Sequence, residues 1–346
     1  MSAPVLGVDL GGTKIAVASL QDRQLTHVAL ELTNCASGAE LIDQIVSLVG
    51  RHRGPELGAL GVGVPSVVEF ETGRVISSVN VPLKDVPLRQ VLGERVGVPV
   101  FVDNDATVAG LAEAHDEQLR QVARDLVILT VGTGVGGGLV LGGRIYRGAT
   151  GGAGELGHTI IGLNLNGDVP SPTGFPTPGS LEYEAAGHAL DRLAAEAATR
   201  HPDSALGRIR ARGEPVLGPD AVEAAQSGDP DARRLVELWG ERLGIGIANA
   251  INTFDPEEVV IGGGGAQAGS LLLEPACRVA RAYVLPGLGG RTTIRLARHG
   301  VRAGVLGAAL LAQQELEASG SRPHAAGDPD GVGPNSASTV AEGSGL

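Results

Sequence analysis

Apolar residues in this chain come in short runs broken by glycine, and the runs are of two periods. Residues 5–20 (VLGVDLGGTKIAVASL) and 126–146 (LVILTVGTGVGGGLVLGGRIY) each read as a strand, a glycine turn and a returning strand. The first turn is Asp9-Leu10-Gly11-Gly12-Thr13-Lys14, the second Gly132-Thr133-Gly134. Leu60 to Val64 reads as a buried strand stopped by Pro65, Val98 to Val102 as a strand closed by Asp103-Asn104-Asp105, and Glu258 to Ile261 as a strand entering Gly262 to Gly265. A turn is expected at Thr72-Gly73. Helical spacing covers residues 38–53, with Leu41, Ile45, Leu48 and Val49 on one face, and resumes from Ala106. It returns over 181–200, over 221–252, from about Ser270, and over 303–318. One strand-turn-strand device at the start of each half predicts a duplicated architecture.

Two stretches fit neither period. Residues 162–180 hold Pro170, Pro172, Pro176 and Pro178 among glycines and read as one long loop, a length that usually carries function or motion. Beyond Ser319-Gly320 the Gly/Ser/Pro/Ala-rich stretch to Leu346 has too few large apolar residues to order itself, so 319–346 is expected to be a disordered tail.

Composition narrows the picture. A length of 346 residues suffices for two domains, and 42% hydrophobic with 19% charged residues fits a soluble globular protein. No apolar run approaches the roughly 20 residues of a membrane helix. Met1-Ser2-Ala3-Pro4 passes into a strand without the basic segment of a signal peptide, so a cytoplasmic protein is expected. Two cysteines, Cys35 and Cys277, make neither a disulfide framework nor a zinc cluster. A net charge of −12 speaks against a nucleic-acid surface.

The glycine turns carry the candidate chemistry, because stripped of side chains their N–H groups can lie against phosphate. Gly132, Gly134 and Gly137 match the dinucleotide fingerprint, but a returning strand follows where that motif requires a helix. Gly7 and Gly12 have Walker spacing, yet Thr13-Lys14 stands where Lys-Ser/Thr belongs. Both turns are better described as strand-turn-strand phosphate clips. Asn104 and Asp105 fall where a strand's carboxyl end meets a helix, the edge that faces ligand in α/β sheets. Alone, Asp105 reads equally as a helix cap, and His158 and Glu182 as ordinary loop and helix residues.

Taken in order and spacing, Asp9 to Lys14, Asn104-Asp105, Gly132 to Gly138 with Glu155-Leu156-Gly157-His158, and Gly262 to Gly265 resemble the ROK family (repressors, open reading frames, sugar kinases), and within it the ATP-dependent glucokinases. The likeness runs from about Val5 to Ala312 and is most specific over Tyr146 to His158 (YRGATGGAGELGH). It implies an α/β, two-domain, actin-like (ribonuclease H-like) fold with a cleft. Residues 1–117 completed by 303–318 would form one domain, and 118–302 the larger one. It further implies a homodimer or homotetramer with no nucleic-acid or membrane partner, taking a hexose and ATP.

By the same resemblance Asp9 would position Mg²⁺ through water. Gly11, Gly12 and Thr13 would meet the phosphates with Lys14 nearby, Thr133 and Gly134 would form the second clip, and Gly263 and Gly264 would border adenosine. Asn80, Asn104, Glu155, His158 and Glu182 would contact sugar hydroxyls, and Asp105 would be the base. The implied reaction is D-glucose to glucose 6-phosphate, the entry to glycolysis. Fructose, mannose, N-acetylmannosamine and N-acetylglucosamine stay open, as does a non-catalytic sugar sensor. The chemistry agrees independently: a carboxylate accepting the hydroxyl proton contributes about 10² to 10⁴ in rate, and a polar cluster that the wrong sugar leaves unpaired discriminates polyols.

Two departures from the family pattern stand out. Its members commonly hold a structural zinc with the histidine of Glu-x-Gly-His and three cysteines ahead of a Leu-Glu pair. Here Leu181-Glu182 is kept but NGDVPSPTGFPTPGS contains no cysteine, so no structural zinc is expected and prolines are expected to stiffen the loop. The family's repressors carry a helix-turn-helix ahead of the first clip, whereas only Met1 to Pro4 precede Val5, so DNA binding is not expected.

Overall fold

Residues on the central strands alternate between two destinations, and that alternation builds the molecule. The structure, a computed structural model, describes residues 3–78, 80–163, 169, 171–172 and 174–320. Of the disordered tail expected over 319–346, Ser319 and Gly320 instead continue the last helix, which ends at Gly320, because the helical hydrogen bonds run on past residue 318; residues 321–346, and residues 164–168, 170 and 173 of the 162–180 loop, lie outside the described residues.

The first half contains β1 (Val5–Leu10), β2 (Lys14–Gln21), β3 (Gln24–Leu32), α1 (Gly38–His52), β4 (Ala59–Val64), the hairpin β5 (Ser66–Glu69) and β6 (Arg74–Ser78), α2 (Leu88–Val96), β7 (Val100–Asn104) and α3 (Asp105–Glu113). The second contains β8 (Leu126–Val131), β9 (Val135–Leu141), β10 (Arg144–Ile145), α4 (Leu181–Ala185), α5 (Gly187–Arg200), α6 (Ala205–Ala211), α7 (Gly218–Gln226), α8 (Pro230–Phe254), β11 (Glu258–Gly262), α9 (Ser270–Tyr283), β12 (Thr293–Leu296) and α10 (Ala303–Gly320).

The sheets run β3-β2-β1-β4-β7 and β10-β9-β8-β11-β12. In the first, β1 pairs antiparallel with β2 and parallel with β4; in the second, β8 pairs antiparallel with β9 and parallel with β11. The duplication expected from the two glycine turns is therefore a repeat of whole-sheet topology, and the fold is the two-domain actin-like α/β architecture.

Leu6, Val8, Leu60 and Val62 enter a core with Leu41, Ile45 and Leu92 of α1 and α2, while Val127, Leu129 and Val259 enter a second core with Leu190, Trp239 and Leu243. The intervening strand positions face a middle layer made by α3 and α10, where Val108 and Leu111 meet Leu126, Ile128, Leu306 and Leu310. Close approach sets the residue type here. A Cβ on Gly61 would collide with the Ala308 carbonyl of α10, and one on Gly307 with the Val108 carbonyl of α3. Strands buried on both faces lose the polar alternation of a surface strand, which is why they read as continuous apolar runs.

A buried ion network ties the carboxyl end of α3 to the chain after β12. The Glu113 carboxylate, fully enclosed, accepts from Arg295 Nη1 (2.7 Å) and from the backbone N–H groups of Arg298 and His299 (2.9 Å each). Arg295 and Arg298 also pair with Glu258 at the start of β11.

Several boundaries differ from the sequence reading. The expected 98–102 strand runs on through Asp103 and Asn104. The helix expected over 181–200 breaks at Ala186, which is extended, because the Gly187 N–H leaves the helix for the Gly132 carbonyl (2.7 Å). The helix expected over 221–252 is two, parted at Gly228 (φ +94°) with Pro230 opening the second. Strands β3 and β12 and helix α6 were not anticipated. No helix among the described residues is long and apolar enough to cross a membrane.

Candidate active site

The strand alternation delivers Asp9 to the inner face of β1, beside the start of α10. A Cβ on Gly304 would strike the Asp9 carboxylate. Across from it, Asp105 opens α3, and Gly63 lies between them: a Cβ there would sit 3.6 Å from Asp105 Cα and 3.8 Å from Asp9 Oδ1. Together with Thr130, Gly263, Gly300 and Gly304 the two carboxylates bound a cavity of about 210 Å³. The N-terminal ends of α3 and α10 both open onto it, a setting that favours anions.

Burial pushes the Asp9 carboxyl up to about 7, with the charge of Asp105 adding to the effect. Burial likewise raises Asp105 to about 6, opposed by the N–H of Ala106, which donates to its Oδ1 (2.8 Å), and helped by the charge of Glu155. Among the described residues no donor reaches the Asp9 carboxylate, which suits it to a hydrated cation rather than to a structural role.

Helix capping at this corner falls to Asn104, not Asp105. Asn104 Oδ1 accepts from the Thr107 N–H (3.1 Å) and its Nδ2 donates to the Ser66 carbonyl (3.3 Å), so both ends of the amide are engaged. Asp105 is left as the first helical residue, with its second oxygen not used by the cap.

The first clip is held from its flank. The Gly11 N–H donates to the Lys14 carbonyl (2.9 Å), Thr33 Oγ1 donates to the Gly11 carbonyl (2.7 Å), and the Thr33 N–H to the Thr13 carbonyl (2.9 Å). This leaves Gly12, Thr13 and Lys14 exposed in succession. Asn80 packs on the clip, since a Cβ on Gly12 would lie 3.1 Å from Asn80 Cβ; its side chain is exposed.

The second clip closes through the Gly132 N–H to the Gly134 carbonyl (2.9 Å), with Thr133 exposed at its tip. Glu182 lies beneath it: Oε2 accepts from the Val135 N–H (2.8 Å), and the carboxylate occupies the space a side chain at Gly134 would need. Here Glu182 supports the clip with one oxygen. Glu155 and His158 are both partly exposed, 3.7 Å apart, and the His158 ring meets Phe175 edge-on with centroids 5.6 Å apart.

A larger cavity of about 760 Å³ opens on the other side of the second clip, between Thr133, His188, Leu217, Gln226, Trp239 and Gly264. Gly263 faces the small cavity and Gly264 the large one, so the turn after β11 separates and joins the two. Gly263 (φ +77°) tolerates nothing larger, because a Cβ would strike the Val131 backbone. The sequence reading missed His188, Leu217, Glu223 and Gln226 here: His188, Glu223 and Gln226 sit on the exposed faces of ordinary helices and Leu217 on the extended residue before α7, and only the docking of α5 and α7 beside the clip gives them a common cavity.

A model of the family described as "ROK family" matches residues 5–315. A glucokinase of Halalkalibacterium halodurans is 36% identical over 319 residues, covering 90% of this chain and 95% of the relative. The crystal structure of a ROK family glucokinase from Streptomyces griseus in complex with glucose and AMPPNP superposes with a TM-score of 0.73 at 31% identity, covering 90% of this chain and 99% of that one. That of the ROK hexokinase from Thermus thermophilus gives 0.72 at 35%, covering 91% and 99%. With two topologically matched sheets, a glycine clip opening each and an aspartate at the first turn between them, the chain belongs to the ROK family.

Proposed function

We propose that this protein transfers the γ-phosphoryl group of ATP to the 6-hydroxyl of a hexose, with D-glucose as the preferred acceptor. The observation that carries this reading is Asp105: a carboxylate at the first turn of α3, lining with Asp9 the small cavity that Gly263, Gly300 and Gly304 bound, raised to about 6 and therefore ionised at neutral pH yet basic enough to take a hydroxyl proton. The kinship with a glucokinase and with a glucose-bound neighbour supports glucose as acceptor.

In this reading the base of ATP enters the larger cavity beside Gly264, and the phosphates pass Thr133, Gly134 and Gly263 toward the small one. Gly11, Gly12, Thr13 and Lys14 meet the phosphates from the opposite side. Asp9 would hold Mg²⁺ through water, which supplies charge neutralisation on the transferring phosphoryl group. The hexose lies against Asn80, Asn104, Glu155, His158 and the remaining oxygen of Glu182. As its O6 bonds to the γ-phosphorus, the bond to the β,γ-bridging oxygen breaks, ADP carries away that electron pair, and the O6 proton passes to Asp105. The lobes are residues 1–117 with 303–318, and 118–302.

The test is ADP release with Mg²⁺ and a panel of glucose, fructose, mannose, N-acetylmannosamine and N-acetylglucosamine, with ATP and polyphosphate each tried as donor. Glucose with ATP should give the highest kcat/KM. Sugar binding without any sugar-dependent ADP release would replace this reading with that of a sugar sensor.

A further inference from the structure

Arg147 lies outside every role assigned above, yet it is the side chain that joins the two halves of the proposed sugar site. It follows β10 and roots the glycine segment that ends at Glu155 and His158. Its Nε donates to Asp103 Oδ2 (2.7 Å), its Nη2 lies 3.6 Å from Glu315 Oε1 of α10, and its guanidinium stacks over Phe70 at 3.3 Å from the ring centroid. Asp103, 4% exposed in its side chain, spends its other oxygen on the Asn104 N–H (2.9 Å). The Arg147 carbonyl meanwhile accepts the Ala153 N–H (3.1 Å) and so closes the base of the glycine segment. Gly151 within that segment rests against the Val68 carbonyl of β5, where a Cβ would collide.

We infer that Arg147 is a positioning residue: through Asp103 it fixes the Asn104-Asp105 corner of one lobe to the segment bearing Glu155 and His158 in the other. The two groups that must address one hexose are thereby set relative to each other before sugar arrives. A charge-assisted pair in a desolvated place holds its geometry better than an exposed one, and the planar guanidinium can donate to Asp103 while lying flat on Phe70, which an ammonium cannot do.

The inference rests on the proposed hexose site, so its test has one arm that needs no activity. The variants are R147K and the pair D103N/R147M, which leaves no buried carboxylate alone and keeps an oxygen for the Asn104 N–H. In the first arm, hydrogen exchange at the Asn104, Thr107 and Ala153 amides should rise at least tenfold in the pair, with the β11 amides Val259 to Ile261 unchanged. In the second, the glucose KM should rise tenfold or more and kcat should fall, while the ATP KM stays within twofold and R147K recovers part of the loss. Unchanged exchange at the three amides overturns the tether. So does a variant with parent-like kinetics, or one whose ATP and glucose KM rise equally, which marks general loosening. If the parent phosphorylates no hexose, the exchange arm still decides the tether and the failure belongs to the proposed function.

Discussion

Asp9 and Asp105 face each other across Gly63, and burial, with the negative charge of Asp105 adding to it, raises the Asp9 carboxyl to about 7. Two carboxylates from different elements, one at a strand end and one at a helix start, thus share a small cavity but hold their protons differently. The lower of the two, Asp105, is ionised at neutral pH, whereas the higher, Asp9, is still partly protonated there.

Replacing Asp105 by Asn should lower kcat by about 10² to 10⁴ with the glucose KM within a few-fold of the parent, because the amide keeps the shape and loses the acceptor. Steady-state kinetics decide it, and turnover within a few-fold of the parent would remove Asp105 from the role of base.

The pH dependence follows from the same groups. Both pKa values are raised, so each proton is kept to a higher pH than in a free aspartate. Activity should be full above about 7 and fall roughly tenfold per unit as pH drops below about 6, where Asp105 becomes protonated. The Mg²⁺ concentration for half-activation should rise earlier, below about 7, as Asp9 gains its proton. A kcat/KM profile flat from pH 5 to 8 would contradict the first statement, and a Mg²⁺ half-activation concentration unchanged between pH 8 and 6 the second.

Gly134→Ala should drive the new methyl into the Glu182 carboxylate and free the Val135 N–H. The carboxylate can swing aside, so the stability lost is that of the hydrogen bond to the Val135 N–H, about 1 kcal/mol. The ATP KM should rise at least tenfold, and an ATP KM within twofold of the parent would show that the second clip does not meet the nucleotide.

Glu113→Ala should cost on the order of 3 kcal/mol in urea unfolding, since it strands two backbone N–H groups and one side of Arg295 in a buried place. Arg295 keeps Glu258 as partner, which limits the loss. A change below about 1 kcal/mol would mean that water fills the gap without penalty.

Without the family's cysteines, the purified protein should contain no stoichiometric zinc and should regain full activity after chelator once Mg²⁺ is resupplied. Elemental analysis finding one tightly held zinc per chain would overturn this.

Much of the fold was legible because its signals are local. A strand, a glycine turn and a strand can be read from a few residues, and so can an acidic pair after a buried strand. What escaped depends on distant partners. Strand β3 lies at a sheet edge with Val28, Leu30 and Leu32 exposed, so its side chains report no core. The break at Ala186 exists because a carbonyl in the second clip competes for the Gly187 N–H, and nothing in the helix's own sequence records that competitor. The break before Pro230, by contrast, was written in Gly228-Asp229-Pro230: a left-handed glycine, a capping aspartate and a proline at the first helical position. At the proposed site, the clips and Asp105 stand out by type and spacing, whereas the larger cavity's residues carry no special chemistry until they are assembled. The capping role of Asn104 and the support given by Glu182 emerged only from geometry.

The middle layer has a consequence for the order in which the molecule is made. Gly7 and Gly61, on the inner face of the first sheet, are closed over by Val305, Ala308 and Ala309 of α10. A ribosome delivers β1 and β4 long before it delivers that helix, so the first sheet waits with only α3 on that face while the second lobe is synthesised. A nascent chain stopped before Ala303 is expected to bind a hydrophobic dye and to be cut by protease within residues 5–104, and to lose both properties once the chain through about residue 312 has emerged.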